Sequence, residues 1–405
     1  MEKLKQKEHD FSAKLRQNSV IDNLKQYVTW QRDLRRSGSD SGIPLKAPIS
    51  INLDLTSACN FACPHCVDSG IINIGQQLDL DTMAGSIDTL KKNGLLSVIL
   101  IGGGEPTIHR DFEEIVRLSK ARGLQVGIAT NGSRLDKVAN IAGELEKGDW
   151  LRLSLDAGTE DTFYKSHRPK RKVTLEKILH DARDIKERFP DISLGYSFVI
   201  VWEGITINGN DLCPNIGEMS LAASLARQNL FDYVSYKPCL LRLEGSKKES
   251  LFAKPDIERE NMVINSIRQG LEQAKDVAAD DVKILESVNL RAMMERKVHE
   301  LKVQPKTCHS QFFRSVLTPT GVYHCPAFRG IEKAKVAAAD GYTDMGSFNE
   351  TLAETGRSIQ TFDSEQECNV VACFYHHVNW WIENLIESGT DVDTLQMVED
   401  NNFFL

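Results

Sequence analysis

Short apolar stretches, each ending in glycine or small polar residues, alternate with amphipathic stretches through the middle of the chain. Residues 49–55 alternate as a strand does. Residues 81–93 carry Met83, Ile87 and Leu90 at helical spacing, and the apolar run 97–101 stops at Gly102-Gly103-Gly104-Glu105-Pro106. The same pairing recurs. A helix over 112–122 leads to a strand over 125–129, which ends in Thr130-Asn131-Gly132-Ser133. A helix near 135–147 precedes a strand over 150–156, and Leu175, Ile178, Leu179, Ala182 and Ile185 stripe a long helix. Strands over 193–201 and 233–238 flank a helix over 219–230. Six such units predict a parallel sheet with helices outside it, two units short of a closed eight-unit barrel. The expected fold class is α/β, a partial (β/α)6 TIM-like barrel over 49–240. Every polar motif falls at the end of a strand, the edge that carries the site in parallel α/β folds.

The flanks read differently. Residues 1–48 form a charged, partly helical lead-in whose Leu24, Tyr27, Val28 and Trp30 can cover an apolar surface, with a break at 37–42. Residues 241–303 are charged and helical, including 257–274 and 288–303, and are expected to bridge and pack. Residues 304–405 turn to short strands, with a hairpin over 312–324 around Thr318-Pro319-Thr320-Gly321. Helices over 376–388 and 392–399 close the chain.

Composition narrows the classes. The 405 residues are 41% hydrophobic and 26% charged, the balance of a soluble globular protein, and suffice for two domains. The net charge of −8 argues against a general nucleic-acid or anionic-membrane surface. No apolar run approaches membrane-spanning length. The charged start, Met1-Glu2-Lys3-Leu4-Lys5, lacks the apolar core of a signal peptide, so a cytoplasmic protein is expected. Nine cysteines, at 59, 63, 66, 213, 239, 308, 325, 368 and 373, then read as metal ligands or free thiols. Three cluster early and four fall in the last quarter, which points to two metal sites.

Cys59, Cys63 and Cys66 lie in Ser57-Ala58-Cys59-Asn60-Phe61-Ala62-Cys63-Pro64-His65-Cys66, directly after the first strand. Three thiolates can hold three irons of a cubane and leave the fourth open to a ligand. Zinc is the other reading, but it wants a fourth ligand, and His65 sits awkwardly between two cysteines. The loop resembles the signature of the radical S-adenosylmethionine (SAM) superfamily, and the later motifs follow in that family's order. The resemblance implies a [4Fe-4S] cluster on Cys59, Cys63 and Cys66, with SAM on the open iron. It places His65 near the adenine and Gly103, Gly104 and Glu105 around the methionine ammonium. Ser154 and Asp156, two apart and so on one face of the fourth strand, fall where the family binds ribose. The resemblance also sets Asn131, at the end of the third strand, to line the ligand; ordinary turn chemistry fits its Asn-Gly pair equally. Arg168, in His167-Arg168-Pro169, matches a position facing the SAM carboxylate; Lys170, Arg171 and Lys172 read as solvated charge.

Cys308, Cys325, Cys368 and Cys373 resemble the family's shortened auxiliary-cluster module, the twitch form of the SPASM domain, which implies a small α+β domain over 304–405. Four thiolates close a second [4Fe-4S] cluster and suit it to electron transfer; zinc or unbound thiols are the alternative. Cys213 and Cys239 default to structural roles. The resemblance implies reductive cleavage of SAM to a 5′-deoxyadenosyl radical, hydrogen abstraction from a substrate, and oxidation of the substrate radical through the second cluster. The expected substrate is a small alcohol-bearing or sugar-like metabolite. A maturase of a ribosomal peptide or protein, and a non-enzymatic zinc or iron–sulfur protein, are the alternatives. The electron donor would be a flavodoxin or ferredoxin.

Overall fold

A computed structural model of the chain describes residues 10–38, 42–207, 209–242, 249–250 and 257–405. The first nine residues of the lead-in and the centre of the 37–42 break lie outside the described residues. The six expected strands form side by side and in parallel: β1 (Ser50–Leu53), β2 (Ser97–Leu100), β3 (Gln125–Thr130), β4 (Trp150–Ser154), β5 (Ser193–Ile200) and β6 (Tyr233–Pro238). Alternate residues such as Leu53, Val98, Ile128, Leu153, Tyr196 and Val234 enter one apolar core. Helices α2 (Leu80–Lys92), α3 (Phe112–Ala121), α4 (Leu135–Ile141), α6 (Leu175–Arg188) and α7 (Met219–Gln228) add their apolar stripes to it. Between β4 and α6 lies α5 (Glu160–His167).

The sheet is larger than the six units. β7 (Lys283–Glu286) adds in parallel beside β6, inside the stretch expected to be helical. Only Ile284 and Leu285 are apolar there, and an outermost strand tolerates charged ends. On the other side β8 (Arg314–Thr318) pairs in parallel with β1, in register Ser50 with Arg314 through Leu53 with Leu317. β9 (Gly321–Tyr323) and β10 (Lys335–Ala337) continue antiparallel, giving the order β7-β6-β5-β4-β3-β2-β1-β8-β9-β10. The expected hairpin thus forms, and it extends the sheet that holds β1.

The lead-in helix α1 (Ile21–Ser37) covers the last quarter of the chain. Leu24, Tyr27, Val28 and Trp30 are buried with Phe312, Phe313 and residues of α11 (His376–Ser388). The helices α8 (Ile257–Ala278), α9 (Val288–Met294) and α10 (Met345–Thr361) precede α11. A buried polar chain locks this assembly: the Tyr27 hydroxyl meets His309 Nδ1 at 2.8 Å, His309 Nε2 meets Glu383 Oε2 at 2.7 Å, and Arg35 donates two bonds to Glu383 at 2.8 and 2.9 Å. Burial opposes the Glu383 charge, but the bonds from His309 and Arg35 bring its pKa down to about 2.

Residues 392–399 form only the 3-10 turn Val392–Thr394, capped by Asp391, and not the expected helix. The following tail crosses the start of the parallel strands instead. Ser97 donates to the Phe403 carbonyl at 2.8 Å, Gln125 holds the Asn401 carbonyl and the Phe403 N–H, and the Phe404 ring lies 5.5 Å from Trp150. This closes the floor beneath β2, β3 and β4. Among the described residues no helix is long and apolar enough to cross a membrane.

Candidate functional site

The loop after β1 is shaped by its own backbone. Ser57 donates to the Gln76 carbonyl at 2.9 Å and receives the Gln76 N–H at 3.0 Å. The Cys59 N–H donates to Asn73 Oδ1 at 2.9 Å, and the Cys66 N–H to the Cys63 carbonyl at 3.2 Å. Cys59, Cys63 and Cys66 are half-buried free thiols. Burial pushes all three pKa values up, Cys66 to about 12 with the help of Asp68, and Cys63 well above the usual range with the help of Cys66 and Cys59. Such a set becomes thiolate only when a cation joins it, and this fits an iron–sulfur cluster as ligand chemistry.

The glycine motif leans on this loop. The Gly104 N–H donates to the Thr56 carbonyl at 2.9 Å and the Glu105 N–H to the Ala58 carbonyl at 2.8 Å. A Cβ on Gly104 would stand 1.9 Å from the Ala58 carbonyl oxygen, a backbone atom that cannot swing aside. Gly104→Ala is therefore expected to cost about 1–3 kcal/mol by overpacking and to lower iron retention after anaerobic reconstitution. Unchanged melting and iron content would refute it.

Glu105 is buried and accepts four bonds: the Thr107 N–H at 3.0 Å, the Thr107 and Thr130 hydroxyls at 2.6 Å each, and the Asn131 N–H at 2.7 Å. Burial still leaves its pKa raised. The carboxylate braces the glycine loop to the end of β3. From there Asn131 Nδ2 donates to Asn60 Oδ1 at 2.9 Å, and Asn60 donates to Ser133 at 2.7 Å. Asn60, unremarked in the sequence, thus ties the cysteine loop to the third strand end.

Ser154 closes β4, half-buried, opposite Ser197. Asp156 lies beyond the strand with φ +51°, so the two-residue alternation does not extend to it. The left-handed turn instead buries its carboxylate between two histidines, 3.2 Å from His65 Nε2 and 3.5 Å from His167 Nε2, while the Val199 N–H donates to it at 2.7 Å. Burial raises the Asp156 pKa, and His65 and His167 more than reverse that. His167 Nε2 lies 2.8 Å from the Leu155 carbonyl, which can only accept, so that nitrogen carries the proton and Nδ1 faces Cys63 Sγ at 3.3 Å. Arg168 caps α5 with φ +44°, is exposed, and donates to Asn210 at 3.4 Å. Its neighbours hold the cysteine loop: His167 accepts the Ala62 N–H at 3.1 Å, and Lys170 Nζ donates to the Cys59 carbonyl at 2.7 Å. The basic run concealed the role of Lys170, since nothing local distinguishes it from Arg171 and Lys172.

The second cysteine set gathers around the hairpin. Cys325, Cys368 and Cys373 adjoin one apolar cluster with Phe328 and Phe362. Burial and the neighbouring Cys325 push the Cys308 thiol to about 12, and Cys373 is raised by burial, Cys325 and Cys308. Asn379 Nδ2 donates to Cys308 Sγ at 3.8 Å. Cys239, at the end of β6, is buried and raised to about 12 by burial and by Asp156, so it neighbours the first site.

One side chain joins the two regions. Arg329, four residues after Cys325, forms an ion pair with Asp54 at 2.8 Å and donates to both oxygens of Asp68 at 3.0 Å. Its guanidinium lies 2.5 Å from where a Cβ on Gly102 would stand.

Residues 53–209 match the family model described as Radical SAM superfamily. The S-adenosylmethionine-dependent nucleotide dehydratase of Selenomonas ruminantium is 31% identical over 170 residues, 40% of this chain and 61% of that protein. The mycofactocin maturase MftC of Mycolicibacterium smegmatis is 35% identical over 119 residues, 29% of this chain and 30% of the maturase. The chain thus spans less than two thirds of the length of either relative. Streptococcus suis SuiB bound to its precursor peptide SuiA shares the fold, with TM-score 0.54 and 14% identity over 83% of this chain and 78% of SuiB. The cysteine loop and the glycine motif, gathered with the strand-end polar residues at one edge, lie inside residues 53–209, the span that matches the radical SAM superfamily model.

Proposed function

We propose that this chain is a radical SAM enzyme with two iron–sulfur centres that oxidises its substrate by two electrons. The observation that carries the reading is the β1–β8 pairing, which sets the hairpin of the second cysteine group in the same sheet as the strand feeding the first. Cys59, Cys63 and Cys66 would hold the first cluster, and Cys308, Cys325, Cys368 and Cys373 the second. Gly103, Gly104, Asn131, Ser154, Asp156 and Arg168 would receive SAM, with His65 toward its adenine. When bound, these groups supply a 5′-deoxyadenosyl radical and a sink for the substrate's second electron.

The chain's own residues supply the frame. Glu105 fixes the glycine loop against β3, and Asp156 orients His65 and His167. The tail covers the starts of β2, β3 and β4, at the end of the strands opposite the cysteine loop. The preferred substrate is a small alcohol-bearing or sugar-like metabolite. Peptide modification is the second reading, favoured by the likeness to a maturase and to the SuiB fold solved with a precursor peptide.

Anaerobic reconstitution is expected to give about eight irons per chain, and reductant with SAM to release 5′-deoxyadenosine. Zinc without iron, or no 5′-deoxyadenosine, would overturn the enzyme reading. Deuterium carried into 5′-deoxyadenosine from a labelled sugar alcohol, or from a labelled peptide, decides between the substrates.

A further inference from the structure

Arg168-Pro169-Lys170-Arg171-Lys172 places four cations in five positions of a chain whose net charge is −8. All four are exposed. Basic side chains on either side are neutralised: Lys165 by Asp161, Lys177 by Asp181, Arg183 by Glu187 and Lys186 by Asp232. Among the described residues no carboxylate forms an ion pair with Arg168, Lys170, Arg171 or Lys172. The run is also fastened to the first cysteine loop. Lys170 donates its N–H to the Asn60 carbonyl at 3.0 Å and its Nζ to the Cys59 carbonyl at 2.7 Å. Beside it, Asn73 holds the Cys59 N–H, and the next residue, Ile74, is an exposed apolar side chain.

We infer that Lys170, Arg171 and Lys172, with Ile74 at their margin, form the docking surface for an acidic one-electron carrier protein that reduces the first cysteine-held centre. This rests on the proposed function. Unneutralised charge on a fixed backbone steers an oppositely charged partner, and a small apolar contact suits a complex that must also dissociate. The step moves one electron: the carrier is oxidised by one, the centre is reduced by one, and no atom is transferred. The overall acidity of the chain disfavours such a partner in general, while this run offers an approach that ends at the Cys59 carbonyl.

The test uses the reconstituted full chain and the double variant Arg171→Glu/Lys172→Glu, neither residue being a ligand of the centre or of SAM. With dithionite, both proteins are expected to form 5′-deoxyadenosine at rates within about twofold. With reduced flavodoxin as donor, the variant is expected to show a KM for the carrier raised about tenfold or more, and a weaker salt dependence of the rate. An unchanged carrier KM would overturn the inference, as would equal losses with both reductants. So would single-stranded RNA binding that the variant abolishes while the carrier KM stays the same. Absence of 5′-deoxyadenosine from the unsubstituted protein with dithionite would instead count against the proposed function itself.

Discussion

Cys63→Ala is expected to reduce 5′-deoxyadenosine formation to the background of reductant and SAM alone, while about four irons per chain remain. Cys63 is the best placed of the three thiols for a decisive loss. It faces His167 Nδ1 at 3.3 Å, and its pKa is driven up by burial and by both of the other cysteines. Two thiols cannot hold a cubane that three were built to hold. Cys373→Ala should do the reverse. SAM cleavage persists, about four irons remain, and substrate oxidation stops for want of the second centre. Removing one sulfur from a half-buried site costs little packing, so melting temperatures near that of the unsubstituted protein keep chemistry apart from folding. The pair of variants is read by iron analysis and chromatography of 5′-deoxyadenosine. Loss of all iron from either variant, or full cleavage by Cys63→Ala, would sink the assignment of two separate centres.

Arg329→Met should destabilise the fold by about 3–5 kcal/mol, the usual cost of stranding a buried charge. Asp54 and Arg329 are both buried, and Asp68 completes the cluster. The loss has a pH signature. Burial raises the Asp54 pKa to about 7, with Arg329 holding it from going higher. A carboxyl raised above its unfolded value weakens the fold as pH climbs from the unfolded pKa to the folded one. Without Arg329 the folded pKa climbs further, so the weakening continues above pH 7. Urea denaturation should therefore show a larger deficit at pH 8.5 than at pH 6, and Asp54→Asn in the same chain should recover part of it. A deficit that is flat across that range would assign the destabilisation to lost packing alone.

The six core strands were legible because each is an apolar run cut off by glycine or a polar motif, and the cysteine and glycine motifs sit at two such ends. β7 was not, since Ile284 and Leu285 between charged residues carry too little pattern to read. The hairpin could be read from Gly321 and its flanks, but its partner could not. Alternation says which face of a strand is apolar, and nothing local says that Arg314 lies beside Ser50. Site residues divide in the same way. Spacing made the cysteines candidate ligands. The places of Asp156, His167 and Lys170 depend on two left-handed turns, at Asp156 and Arg168, a backbone state uncommon outside glycine and one that no local pattern marks.

The β1–β8 pairing also bears on how the chain is made. Residues 50–53 must wait for residues 314–317 before both edges of that strand are filled. At typical synthesis rates the interval is roughly 15–50 s. During it the cysteine loop hangs from a half-paired strand, without Arg329 to hold Asp54 and Asp68. The cysteine loop therefore reaches its final setting only after the last quarter of the chain has emerged.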